Sequence, residues 1–189
     1  MKIGFQGSER NDVFVAAEEM AKIKLVKNPE FIPFPSIFIL FEKLHQNKID
    51  AIVIPVKNSK TGIIEDNIKF IQETQKLGIE VYMEKTIKVD YVLCKKNDNI
   101  LDEQVKFIAS NMQAFKECDD SINKYFPKAI KIYTEDKLLE VDYLKEDKFP
   151  EGTAIITLKG VIDKSTLHID KERFQDDEDN ATTYVWLRK

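Results

Sequence analysis

The sequence predicts an α/β fold with parallel strands joined by right-handed crossovers, and three observations carry that prediction. Strand and helix patterns alternate from the first residue. Ala51 to Val56 is an almost continuous apolar run, as expected of a strand covered on both faces. Finally, the segments Gln6-Gly7-Ser8 and Lys57-Asn58-Ser59 follow strand patterns as polar loops.

Lys2 to Phe5 reads as a short strand, and Asp12 to about Lys24 as a helix that Asp12 could cap. Phe31 to Phe34 is extended, with Pro33 and Pro35 confining it to an edge or an end. Ser36 is a good N-cap for a helix carrying Phe38, Phe41, Leu44 and His45 at three- and four-residue spacing. After the Ala51 to Val56 strand, Ile64, Ile68 and Ile71 mark a helix closed by Gly78. Glu80 to Glu84 and Ile87 to Cys94 are β-rich, a long segment able to carry the chain into a second lobe. There the pattern gives a strand at Val105 to Ala109, a helix at Gln113 to Tyr125, a strand at Ala129 to Tyr133, a helix at Asp136 to Leu144 and a strand at Thr153 to Leu158. The acidic run Asp176 to Asp179 reads as a solvated turn before a last strand, Ala181 to Leu187.

With 189 residues and 43% hydrophobic content the chain can bury a real core, as one domain or two small lobes. A net charge of -4 with scattered lysines argues against nonspecific nucleic-acid binding and against attraction to anionic membranes. Neither a signal-peptide-like start nor a run of about twenty apolar residues is present, so a cytoplasmic protein is expected. Cys94 and Cys118 lack CxxC spacing, and His45 and His168 lack local ligand partners; the expectation is reduced thiols, no metal and no cofactor.

The loop from Pro55 to Ile64 is the candidate ligand site. Asn58 and Ser59, with the free amides of a following helix's first turn, would suit a carboxylate or phosphate. The same residues, with Thr61, could equally serve as a helix cap.

Three separated segments then match one family in order. Gly4-Phe5-Gln6-Gly7 opens the chain; Ser36 to Phe41 leads through Asp50-Ala51-Ile52-Val53-Ile54-Pro55 to Val56-Lys57-Asn58-Ser59-Lys60-Thr61-Gly62; Asp179-Asn180-Ala181-Thr182-Thr183-Tyr184 closes it. The chain resembles the catalytic domain of prephenate dehydratase, whose patterns read FQG, then S-F-x-x-V-F ending in P-I/V-E-N-S-x-x-G, and finally N-x-T-R-F. Ser110-Asn111-Met112-Gln113-Ala114 sits where that family has S-H-P-Q-A, and Tyr133-Thr134 where it has a Ser-Thr pair.

The resemblance implies two α/β lobes of the type II periplasmic-binding-protein kind, mixed sheets with flanking helices, and an active site in the interlobe cleft. The first lobe would hold residues 1–84 and 168–189, and the second 85–167. It also implies a homodimer acting on a small dicarboxylate, and no regulatory ACT domain within these residues. Thr182 takes the place of the catalytic threonine, the proton donor to the departing hydroxyl. Gly7, Asn58, Ser59, Gly62, Ser110, Gln113, Thr134, Thr183 and Tyr184 would line the substrate site.

Thr183 replaces the family's arginine and Tyr184 its phenylalanine. Threonine cannot grip a carboxylate bidentately, a loss of about 1.5 to 3 kcal/mol unless another cation compensates. Lys57, Lys60 and Arg10 are the candidates, and Asn111 and Met112 replace a His and a Pro. Besides dehydration of prephenate to phenylpyruvate, these departures leave open a nonaromatising prephenate decarboxylase and a noncatalytic small-carboxylate binding module.

Overall fold

The computed structural model describes residues 1–7, 11–134, 137–162 and 167–189, with only the backbone for 137–139. The chain divides into two units, Met1–Lys88 with Asp179–Lys189, and Val89–Glu178.

In the first unit, β1 (Lys2–Gln6), β2 (Glu30–Phe34) and β3 (Ala51–Asn58) are parallel, with β2 at the edge where its proline is tolerated. α1 (Asp12–Ile23) and α2 (Ile37–His45) are the crossovers. Asn11, not Asp12, caps α1: its side chain accepts from the Phe14 amide at 2.7 Å, and Asp12 lies in the first turn. Ser36 caps α2 as the sequence indicates.

The alternation of β3 sorts the core into two layers. Ala51 and Val53 join Ile3, Phe5 and Trp186 beneath α1, whereas Ile52, Ile54 and Val56 join Leu40, Leu44 and Ile71 beneath α2 and α3 (Glu65–Gln75).

The segment after β3 departs from the strand-to-helix loop read from the sequence. The chain turns back as β4 (Gly62–Ile63), pairing antiparallel with Lys57 and Asn58, before α3 begins. None of Asn58, Ser59 and Thr61 caps α3, which starts after Ile64 with no side-chain cap. Gly78 follows α3 with φ of +77°, the left-handed conformation that glycine adopts without strain.

Glu80–Lys88 forms one strand, β5, rather than the end of one piece and the start of another. The last strand of the chain, which is β11 (Ala181–Arg188), inserts antiparallel between β3 and β5.

The second unit is a sheet in the order β10-β6-β9-β7-β8, from β6 (Tyr91–Lys95), β7 (Phe107–Ser110), β8 (Ile130–Tyr133), β9 (Thr153–Leu158) and β10 (His168–Lys171). The helical run read at Gln113 to Tyr125 is two helices, α4 (Met112–Glu117) and α5 (Asp119–Tyr125), broken at Cys118. Helix α6 (Lys137–Lys145) packs on β9, and the short α7 (Lys159–Ile162) follows β9. The sequence reading assigns residue 168 onward to the first unit. In the structure β10 pairs antiparallel with β6, and the chain returns only at Asp179.

Four charged groups fasten β10. Lys95, 2% exposed, meets Asp102 at 2.5 Å and Asp170 at 2.8 Å, and Lys171 meets the same carboxylates at 2.8 and 3.1 Å. The Ile100 carbonyl accepts a further hydrogen bond from Lys95 at 2.9 Å. Both cysteines are buried, and burial, with Asp170 nearby, pushes the Cys94 thiol up to about 12, so it stays protonated and unreactive. No described helix is long and apolar enough to cross a membrane.

Candidate functional site

Three strand ends and one helix start gather at one edge of the first unit's sheet. The parallel strands β1 and β3 both finish there, α1 begins there, and β11, running the other way, starts there. Such an edge, beyond the carboxyl ends of parallel strands, is where α/β sheets bind ligands.

The register between β3 and β11 decides which side chains meet. Thr182 lies opposite Asn58 and Thr183 opposite Lys57, but Tyr184 lies opposite Pro55, so β3 carries one extra residue at Val56. Uninterrupted alternation from Val53 and Pro55 would turn Lys57 toward α1 and Asn58 away. The bulge reverses this: Val56 and Lys57 both take the α2/α3 face, and Asn58 returns to the α1 face with Thr182 and Tyr184.

Asn58 organises the corner. The Lys60 and Thr61 amides donate to its Oδ1 at 2.9 and 3.1 Å, which fixes the orientation of the side-chain amide. Its Nδ2 donates to Thr182 Oγ1 at 2.9 Å, Asn180 Oδ1 at 2.9 Å and the Ala181 carbonyl at 3.3 Å. Thr182 is buried but for 7% of its surface. An oxygen that accepts from an amide keeps its own hydroxyl proton available to give.

Ser59 extends the pairing. Its amide donates to the Ala181 carbonyl at 2.9 Å, its Oγ accepts from the Ala181 amide at 2.9 Å, and that hydroxyl donates to the Asp179 carbonyl at 3.3 Å. Ser59 therefore locks the start of β11 in place. Gly62 closes the hairpin with φ of +84°.

Thr183 and Lys57 do not join this group. Side chains alternate along a strand, and the hydroxyl of Thr183 instead meets that of Thr86 at 2.9 Å on the opposite face, beside Lys57. Replacement of the motif arginine thus alters a position facing away from Thr182, and Lys57 does not bring a cation to Thr182. Lys60 is exposed in the turn, and Arg10 lies outside the described residues.

Tyr184, 2% exposed, donates through its hydroxyl to Asp12 Oδ2 at 3.2 Å, tying β11 to the first turn of α1. Gly7 holds the approach to that turn: its amide donates to the Phe34 carbonyl at 2.9 Å with φ of +100°. A Cβ there would stand 2.2 Å from Asn11 Nδ2, which donates to the Gln6 carbonyl. Gly7→Ala is therefore expected to cost about 1–2 kcal/mol in backbone strain and about 1 kcal/mol more through the disturbed cap. A fall in melting temperature of roughly 5–10 °C is the measurable result.

The second-unit candidates have local partners. Ser110 is fully buried and donates to the Ile156 carbonyl at 2.6 Å, joining β7 to β9; Gln113 bonds Glu117 one turn on; Thr134 donates to buried Glu140. Asn111 caps α4, accepting from the Ala114 amide at 3.0 Å. A depression of about 470 Å³ in this unit is lined by Lys124, Lys171, Arg173 and Asp176 among others, but Lys171 pairs with Asp102, and Asp176 accepts from the Asp120 and Ser121 amides. Sequence reasoning left Asn180 and Asp12 out of the site. Asn180, 1% exposed and two residues before Thr182, was open to discovery as a polar residue at the mouth of a buried strand.

A family model described as prephenate dehydratase matches residues 3–189. Arogenate dehydratase 5, chloroplastic, of Arabidopsis thaliana is 24% identical over 189 residues, all of this chain but 42% of that protein's length. Among solved structures, prephenate dehydratase from Arthrobacter aurescens in complex with L-Phe superposes with a TM-score of 0.80 at 17% identity, covering 100% of this chain and 60% of that one. The substrate-binding domain assigned to a molybdenum ABC transporter from Clostridium difficile reaches 0.54 at 15% identity, covering 100% of this chain and 84% of that one. The two-sheet α/β architecture is thus of the type II periplasmic-binding-protein kind, and, by a family match spanning nearly its whole length, the chain belongs to the prephenate dehydratase family.

Proposed function

We propose that the protein catalyses the decarboxylating dehydration of prephenate to phenylpyruvate in phenylalanine biosynthesis, with Thr182 as proton donor. One observation carries the reading: the Thr182 hydroxyl sits in a protected corner, held at 2.9 Å by an Asn58 amide whose orientation is itself fixed. In the reaction the bond from the ring to its carboxylate breaks, and that electron pair enters the ring as carbon dioxide leaves. The C4–oxygen bond breaks with its own pair, and the departing hydroxide takes the threonine proton to become water. Solvent then returns a proton to Thr182, so one proton is consumed per turnover. Aromatisation drives the change, leaving the protein to orient the substrate and assist the leaving group.

Family membership supports this reading, and with it goes the family's expectation of a cytoplasmic homodimer. The named Arabidopsis relative directs attention to arogenate, the analogue with an ammonium group in place of the keto oxygen, as a second substrate. Purified protein mixed with prephenate at neutral pH should form phenylpyruvate. A nonaromatic acid retaining its hydroxyl would reassign the protein as a decarboxylase, and no product above the uncatalysed rate from either substrate would remove the enzymatic reading.

A further inference from the structure

We infer that the second unit carries its own site for a compact oxyanion, the phosphate or carboxylate group of a small metabolite, in the depression between α5 and residues 171–178. Binding there is independent of the reaction at Thr182. At about 470 Å³ the depression has the size that takes a small ligand, and the described residues lining it all belong to this unit.

Its charges divide into those already satisfied and those left over. Lys171 is held by Asp102 and Asp170, Glu172 meets Lys159 at 3.2 Å, and Asp176 accepts from the Asp120 and Ser121 amides at 3.0 and 2.8 Å. Glu178 has a partner as well. Arg173, by contrast, has no partner among the described residues, and Lys124 only lies over the Tyr125 ring, 4.8 Å from its centroid. Against these two cations stands one unpaired carboxylate, that of Asp120. The free charge in the depression is therefore positive on balance.

Gln175 adds neutral donors. It is 7% exposed, and its Oε1 accepts from the Tyr91 amide at 2.9 Å, which fixes the side-chain amide and leaves Nε2 with two donors and no partner among the described residues. The backbone of Arg173 is the other sign of a built site. Its φ of +50° is left-handed, a conformation that strains any residue with a side chain. Of the other described non-glycine residues with positive φ, Leu25, Asn47 and Asp147 lie just past helix ends, and Asn28 is an asparagine, which tolerates the conformation. Arg173 has neither reason, and residues held this way cluster at ligand clamps. A guanidinium so placed offers a fork that matches two oxygens of one phosphate or carboxylate.

Inorganic phosphate and succinate are the probes, titrated calorimetrically into the full chain at neutral pH in a zwitterionic buffer. At least one should bind saturably, and the tighter of the two identifies the guest as phosphate-bearing or carboxylate-bearing. Arg173→Gln, which keeps much of the side chain and removes its charge, should weaken that binding by about tenfold or more, the equivalent of one charge-assisted contact. Asp120→Asn should tighten it, because the one free like charge is gone. Lys128→Gln, which removes an exposed cation of the same unit that does not line the depression, should leave affinity unchanged. Binding of neither probe at millimolar concentration, or an affinity that Arg173→Gln leaves unchanged, overturns the inference. Equal weakening by Lys128→Gln also overturns it, since that is the mark of diffuse attraction to surface charge.

Discussion

Thr182→Ala should lower kcat by about 10²–10⁴-fold with either substrate, the range of a positioned proton donor, while leaving the fold intact. The fold survives because Asn58 Nδ2 loses only one of three acceptors; Asn180 Oδ1 and the Ala181 carbonyl remain at 2.9 and 3.3 Å. No buried donor is orphaned, so the unfolding midpoint should change little. Thr182→Ser keeps the hydroxyl and should retain a substantial part of the rate. Because the contact to the leaving oxygen strengthens as its bond breaks, the alanine variant should lose kcat and kcat/KM in parallel. An alanine variant turning over within about twofold of the wild type would remove Thr182 from the chemistry.

Lys95→Met should cost about 1.5–3 kcal/mol of stability, since it removes the buried cation of a cluster whose carboxylates are themselves partly exposed and leaves them with one cation fewer. At 2% exposure Lys95 has no access to water that could substitute, and Asp102 and Asp170 would then share Lys171 alone. Denaturant unfolding should detect it, and a loss under about 1 kcal/mol would show that the cluster rearranges freely. The same cluster predicts a pH effect. Burial alone would push the Asp102 carboxyl up, but hydrogen bonds from Lys171 and Lys95, with their charges, outweigh it and hold it below the usual range. Its contribution is therefore complete above the unfolded value of about 3.9 and is lost as pH falls through the lower folded value. Acid unfolding of the wild type should consequently be displaced to lower pH than that of Lys95→Met.

Much of the fold was legible in the chain. Continuous apolar strands, the cap at Ser36 and the prolines of the edge strand each act through local chemistry, which the sequence states directly. What escaped it were pairings between distant segments. His168 to Lys171 has no strong strand pattern, yet it pairs with β6 because Asp170 and Lys171 meet Lys95 and Asp102. The short return at Gly62–Ile63 was similarly hidden, since two residues are too few for any periodicity to register.

The candidate site divides along the same line. The sequence alone determined that Asn58, Ser59 and Thr182 belong to one family motif set, that Gly7 bounds the first loop, and that the motif arginine is replaced. Tertiary structure decided which of these face one another. A single extra residue in β3 turns Asn58 toward Thr182 and sends Lys57 to the other side with Thr183. Strand alternation has a period of two, so one inserted residue inverts every later side chain, and whether an insertion is present depends on a partner strand more than 120 positions away in the chain, as the Asn58–Thr182 contact shows.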